Sequence, residues 1–263
     1  MIVDFHAHAF PDALAPRAIA SLEGRIEKPA ITRGTQAELR QVMERCSIDI
    51  SVVANIATKP AQHANVNAFA IQNDCTDLIH FGSVHPLGED AVEWVEKIAQ
   101  AGLKGIKLHP DYQGFYVDDP RVFPVYRKAM ELGLVVLMHT GLDLGMPDPI
   151  HCSPKRLAAM LDKHPYDRFV AAHFGGWLMW EEVEDRLCGR YPLYLDTAVT
   201  MGSIQTERFV RMVEKHGSER VLFGSDNPWT DPARQLELIS AAGLSPETEQ
   251  AILSDNAARL LKL

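Results

Sequence analysis

LGLVVLMHTG, residues 132–141, supplies the pattern from which the rest of the chain is read. Five apolar residues run from 134 to 138, and His139-Thr140-Gly141 follows at once. A run this short cannot span a bilayer. Its lack of polar alternation marks a strand covered on both faces, as in parallel sheets. Runs of the same kind recur at 2–5, 48–56, 79–84, 105–108, 169–172, 193–195 and 221–223. The intervals are mostly about 25 to 35 residues, enough for one crossover helix each.

The intervals carry helix punctuation. Asp119-Pro120, Ser153-Pro154, Asp231-Pro232 and Ser245-Pro246 each place an N-cap side chain before a proline at the first helical position. Thr35 and Glu38 have capping-box spacing. Gly102, Gly133 and Gly217 fall where a helix should end in a left-handed residue. Eight such βα units in 263 residues predict an α/β fold, a (β/α)8 TIM barrel forming one domain over 1–263. An open doubly wound sheet is the alternative, but no GxGxxG follows the first strand and no P-loop is present. The gap from 7 to 47 exceeds one helix, and its polar piece at 24–34 is predicted to be a loop over the barrel mouth.

Composition narrows the function. With 26 Lys+Arg against 35 Asp+Glu, the net charge is −9, and the basic residues are scattered. No nucleic-acid partner is expected, because phosphate binding needs a basic face. The N-terminus MIVDFHAHAF lacks the basic flank and apolar run of an export signal, so no membrane association is expected. Cys46, Cys75, Cys152 and Cys188 lie far apart, without CxxC spacing, and read as reduced thiols of a cytoplasmic protein.

Six of the 11 histidines sit at or just beyond C-terminal strand ends: His6, His8, His85, His109, His139 and His173. The eighth strand ends in Gly224-Ser225-Asp226. Barrel enzymes assemble their active sites at that end. His6 and His8, two apart on a strand, project to one side, and paired neutral imidazoles suit a divalent metal. Taken singly, HxH can be two ordinary polar residues, His139 and His173 satisfied core or loop histidines, and Asp226 a turn residue before Asn-Pro. Taken together, these five groups gather at one barrel mouth. No GxSxG elbow and no catalytic cysteine setting compete with them.

DFHAH (4–8), LMHTG (137–141), AAHFGG (171–176) and FGSDNPW (223–229) fall in that order on strands one, five, six and eight. Together they resemble the amidohydrolase superfamily, and within it the amidohydrolase-related group that includes aminocarboxymuconate-semialdehyde decarboxylase. The closing DNAARLLKL (255–263) resembles that group's terminal helix. The resemblance implies one catalytic divalent metal, usually zinc with manganese or iron as substitutes, ligated by His6, His8, His139 and Asp226. It implies His173, with Asp226, as the groups that handle the proton. The chemistry asks for such a set independently, because an activated water needs a group to take and return its proton.

Lys107 and His109, in GIKLHP, face the same way on strand four. Lys107 is read as a cation for a substrate carboxylate. Some relatives instead carbamylate a lysine on this strand to bridge two metals, and a structural ion pair is the third reading. His109 and His85 are candidate pocket residues. Arg33 is a candidate anion clamp, and Phe174 and Trp177 are candidate apolar walls. The expected activity is attack of metal-activated water on an amide, lactone or similar carbonyl of a small carboxylated substrate. The alternative is non-oxidative decarboxylation on the same metal site, and the rival outside enzymology is a ligand-binding barrel. The resemblance also implies a homodimer.

Overall fold

The eight apolar runs are strands, and every pair between them is parallel. The chain is seen in a computed structural model that describes residues 1–146 and 148–263. The strands are β1 (Val3–Ala7), β2 (Ile50–Ala54), β3 (Leu78–Phe81), β4 (Gly105–Leu108), β5 (Val135–Met138), β6 (Phe169–Ala171), β7 (Tyr194–Asp196) and β8 (Val221–Leu222). β1-β2-β3 form one ladder and β4-β5-β6-β7-β8 another. Isolated parallel bridges join them at both seams, Gly82 to Ile106 and Ala7 to Asn227. At the first seam the Lys107 amide donates to the Gly82 carbonyl at 2.9 Å. At the second, Phe5 N donates to Phe223 O at 2.8 Å and Asp226 N to His6 O at 2.7 Å. The result is a TIM barrel.

Alternation along the strands divides the core in two. Val135 and Leu137 of β5 pack inward with Phe5, Phe81, Val170 and Leu222, while Val136 and Met138 face the surrounding helices. Ala257, Leu260 and Leu261, from the helix Asn256–Leu261, pack against the inner cluster. Gly105 is small for a reason, since a Cβ there would sit 2.6 Å from the Phe81 ring.

The predicted caps form. Asp119, Ser153, Asp231 and Ser245 each accept a backbone N–H of the first helical turn, and Thr35 and Glu38 close a capping box. Gly102 and Gly133 have φ of 89° and 66°. Gly217 departs from expectation: its φ of 100° comes with ψ 116°, so it ends its helix without a left-handed turn. The four cysteines are free thiols. No described helix is long and apolar enough to cross a membrane.

The long first connection corrects one expectation. It holds two helices, α1 (Ala15–Ile26) and α2 (Gln36–Cys46), so Gly24 is helical and the 24–34 loop shrinks to the stretch after Ile26. Gly24 misled the reading because glycine costs a helix only about 1 kcal/mol, which packing can override. A face of α1 does lie over the barrel mouth, where it lines the central cavity.

Candidate metal centre and active site

The site begins with an irregularity in β1. Val3 and Phe5 point into the inner cluster and Ala7 points outward, with the β1–β2 register slipping between Asp4 and Ala7. A bulge of this kind re-aims the side chains after it. Here it leaves His6 and His8 both lining the cavity.

Asp226 reaches the same point from the opposite end of the chain, because β8 closes on β1. Its Oδ1 lies 3.0 Å from His8 Nε2 and 3.5 Å from His6 Nε2. The other ring nitrogens are occupied: His8 Nδ1 donates to Ala54 O at 2.9 Å, and His6 Nδ1 to Asp196 Oδ2 at 3.0 Å. These acceptors set the tautomers and leave each Nε2 with its lone pair toward Asp226, the arrangement that orients metal-ligating imidazoles.

The same logic extends to strands five and six. His173 Nδ1 donates to Ala198 O at 3.1 Å, so its Nε2 accepts from His139 Nδ1 at 3.0 Å. That leaves His139 Nε2 as an acceptor, and it is buried without a hydrogen-bond partner. A buried lone pair left unsatisfied costs about 1–3 kcal/mol, and a cation would relieve it. His139 is not in the tight trio of His6, His8 and Asp226. It stacks on His109 at 4.0 Å, and with Asp143 these two form a second group of potential donors. The donor chemistry fits a divalent metal.

Electrostatics agree. Burial, foremost, holds the His6, His109 and His139 imidazoles well below their usual range, hence neutral as ligands must be. Burial would raise the Asp226 carboxyl, but the His8 and His6 imidazoles beside it outweigh that and hold it at about 2. Burial pulls the Lys107 ammonium down to about 8, against Asp196 and Asp226. Its Nζ lies 3.0 Å from His6 Nε2.

The site stores backbone strain. His173, Phe174 and Asp226 have φ of 56°, 56° and 64°, the left-handed region that costs such residues roughly 1–3 kcal/mol each. Hydrogen bonds offset it: His173 N donates to Asp196 Oδ1 at 2.9 Å, and Asp226 N to His6 O at 2.7 Å.

Other candidates divide. Lys107, His109 and Trp177 line the cavity of about 720 Å³ above the barrel. Arg33 does not; its side chain is 85% exposed and its nearest carboxylate is Glu38, at 3.9 Å. It lies past the end of α1, on the stretch leading to α2, which points it at solvent. Phe174 is fully buried against Phe209 and walls the core instead of the cavity. His85 is also off the cavity, with its backbone N–H bound by His63 Nε2 at 2.7 Å.

Asp196 was overlooked in the sequence. It is fully buried and holds both His6 and the His173 amide, and burial raises its carboxyl. Its signal was present, since it is a carboxylate at the C-terminal end of strand seven. Asp4 was also overlooked, although it lies within DFHAH. It accepts from Ser225 N at 2.8 Å and Ser225 Oγ at 2.5 Å, and burial lifts it to about 7. Tyr112 and Asp143, also cavity residues, gave no strand-end signal because Tyr112 lies on the short helix Pro110–Gln113 and Asp143 in the connection after β5.

Gly141 holds the strand-five exit to the strand-six exit. Trp177 N donates to Thr140 O at 3.0 Å, and Leu142 N to Trp177 O at 3.2 Å. At Gly141 φ is 88°, and a Cβ would fall 2.0 Å from Trp177 N. Gly141→Ala should therefore lower stability by about 2 kcal/mol or more. Urea unfolding measures this, and an unchanged midpoint would show that the turn relaxes freely.

Among curated proteins none matches the sequence significantly. Solved structures match over nearly the full length. A TIM-barrel protein from Bordetella bronchiseptica is 19% identical with a TM-score of 0.75, covering 99% of this chain and 98% of that one. A 2,6-dihydroxybenzoate decarboxylase complexed with 2,6-dihydroxybenzoate is 17% identical with a TM-score of 0.72, covering 100% and 99%. A 5-carboxyvanillate decarboxylase from Novosphingobium aromaticivorans, with bound manganese, is 16% identical with a TM-score of 0.72, covering 100% and 97%. At these identities the likeness is one of fold. The family model described as Amidohydrolase matches residues 3–263. This chain belongs to the amidohydrolase family, and it is an enzyme of that fold.

Proposed function

We propose that the chain is a metal-dependent carboxy-lyase that releases carbon dioxide from a small carboxylated aromatic or unsaturated acid. The observation that carries the reading is the convergence of His6 Nε2 and His8 Nε2 on Asp226, with the Lys107 ammonium beside them in a cavity walled by Trp177 and Trp229. The sequence favoured hydrolysis first. The preference moves to decarboxylation because several neighbours of the same fold are decarboxylases, two of them seen with hydroxybenzoic acids.

In this reading His6, His8 and Asp226 hold one divalent metal, and the free lone pair of His139 completes the set. Zinc is the expectation from the family resemblance, and the manganese of a neighbour makes that metal an equal candidate. When bound, such a metal supplies Lewis-acid polarisation of a substrate oxygen. Lys107 and His109 bind and orient the substrate, with Lys107 pairing with a carboxylate. Trp177 and Trp229 exclude water from it.

As the carbon–carbon bond breaks, its electron pair stays on the substrate carbon and carbon dioxide departs. That carbon then takes a proton. Asp226, held at about 2, stays ionised at neutral pH and is a poor donor. His173 is left as the proton carrier: Ala198 O holds its Nδ1–H, and Nε2, which accepts from His139 Nδ1 at rest, must first take up a proton before it can act as the acid.

Incubation with a panel of hydroxybenzoates, following carbon dioxide directly, tests the reaction, with metal content per chain measured in parallel by elemental mass spectrometry. Carbon dioxide equal to acid consumed, with about one metal equivalent, is the expected result. Turnover of amides or lactones without carbon dioxide would return the reading to hydrolysis. Two equivalents would favour a carbamylated Lys107, and a chain that stays empty when offered zinc, manganese and iron would end the metalloenzyme reading.

A further inference from the structure

The mouth of the cavity has a charge that neither the metal set nor a single-ring acid uses. Arg17, Arg25, Lys28 and Lys59 all line it, on a protein whose net charge is −9. Among the described residues, the only carboxylates lining the cavity are Asp143 and Asp226, both at the floor beside the histidines. Among the described residues, none of the four mouth cations forms an ion pair, whereas Arg40, Arg45, Arg156 and Arg211 elsewhere on the surface each have a carboxylate partner. An acidic chain that gathers unpaired cations around one opening focuses positive potential there, which attracts anions and raises their local concentration.

The cations are placed by α1. Arg17 and Arg25 are eight residues apart and so share one helix face, with Ser21 between them. The adjoining stripe of that face, Ala18, Leu22 and Ile26, gives the cavity an apolar middle. The site is thus layered, with metal donors and Lys107 at the floor, apolar wall above, and guanidinium and ammonium groups at the rim. Arg25 is tied to the floor through stacked rings. Its guanidinium is 6.0 Å from the Tyr112 ring, which stacks at 4.0 Å on His109, itself 4.0 Å from His139. Rim and floor are therefore within one small molecule's length. The cavity of about 720 Å³ lies in the upper part of the roughly 300–1,000 Å³ range of drug-sized ligands, far more than one carboxylated ring fills.

We infer that the acid accepted here is a bipolar anion: a carboxylate at the floor, an apolar body longer than one ring, and a second anionic group held at the rim by Arg17, Arg25, Lys28 and Lys59. The floor half of this inference rests on the reading proposed above; the rim half rests on the cations alone. A carboxylate or a phosphate ester would satisfy the rim, since both accept charge-assisted hydrogen bonds from guanidinium and ammonium groups.

Binding of three probes to the full-length, metal-loaded protein tests the inference, read by quenching of Trp177 and Trp229, which line the cavity. The probes are biphenyl-4-carboxylate, biphenyl-4,4′-dicarboxylate and the 4′-phosphate ester of 4′-hydroxybiphenyl-4-carboxylate. Either or both doubly anionic probes should bind about tenfold more tightly than the monocarboxylate at low salt, and the tighter of the two identifies the rim group. In an Arg25→Gln, Lys28→Gln double variant that advantage should shrink to about twofold, while the monocarboxylate keeps its affinity. Equal affinities for all three probes in the wild type would overturn the inference. So would an advantage that survives the double variant, or no binding of any probe at millimolar concentration. Chelation separates the two halves. If removing metal weakens all three probes in parallel, floor and rim both stand. If it changes none while the dianion advantage persists, the metal reading fails and the rim inference holds.

Discussion

Asp226→Asn should empty the metal site and lower turnover by at least about a thousandfold. The change removes one charge and almost no volume. Asp226 Oδ1 is the point on which His6 Nε2 and His8 Nε2 converge, at 3.5 and 3.0 Å, and it is the one carboxylate in that trio. A neutral amide contributes no charge and a weaker donor. Asparagine tolerates the left-handed backbone found here, where φ is 64°, so the fold should survive. Metal content by elemental mass spectrometry and a thermal melt, read together, separate the cases. A variant that keeps its full metal complement and its turnover would remove Asp226 from the site.

His173→Ala should behave oppositely with respect to metal. Turnover is expected to fall by about 10²–10⁴, the usual contribution of a general acid, while metal content stays near wild type. The physical basis is position. His173 Nε2 faces His139 Nδ1 at 3.0 Å, so its lone pair is engaged by a neighbouring imidazole and not by Asp226. Because φ at His173 is 56°, alanine adds backbone strain of about 1–2 kcal/mol. His173→Asn, which suits that conformation better, is the companion variant. Loss of metal in both would make His173 a ligand, and unchanged turnover in both would remove it from the reaction.

The two variants probe residues that were legible for one reason, their position just past the end of an apolar strand. His139 and His173 each ended an apolar run before a glycine, so strand-end position alone exposed them. Asp196 obeyed the same rule at the end of Tyr194–Asp196 but was passed over, because its strand is three residues long and its apolar signal stops at Leu195. Arg33 and Phe174 show the limit of proximity along the chain. Each is close in sequence to a site element, yet Arg33 points to solvent and Phe174 into the outer core.

The sequence by itself determined the number and order of strands, most helix caps and the residues at the strand ends. Those properties follow from local periodicity and from side chains bonding within a few residues. It also determined that His6 and His8 share a side, because residues two apart on a strand must. Which side that is was decided only in three dimensions, by the register slip between Asp4 and Ala7 that turns both imidazoles into the cavity. The meeting of Asp226 with His6 was decided by ring closure, through backbone bonds between β8 and β1. The cation rim on α1 belongs to the same class, since it exists only where that helix is laid across the barrel mouth. Contacts between residues about two hundred positions apart have no local signature, because their free energy comes from closing the whole barrel.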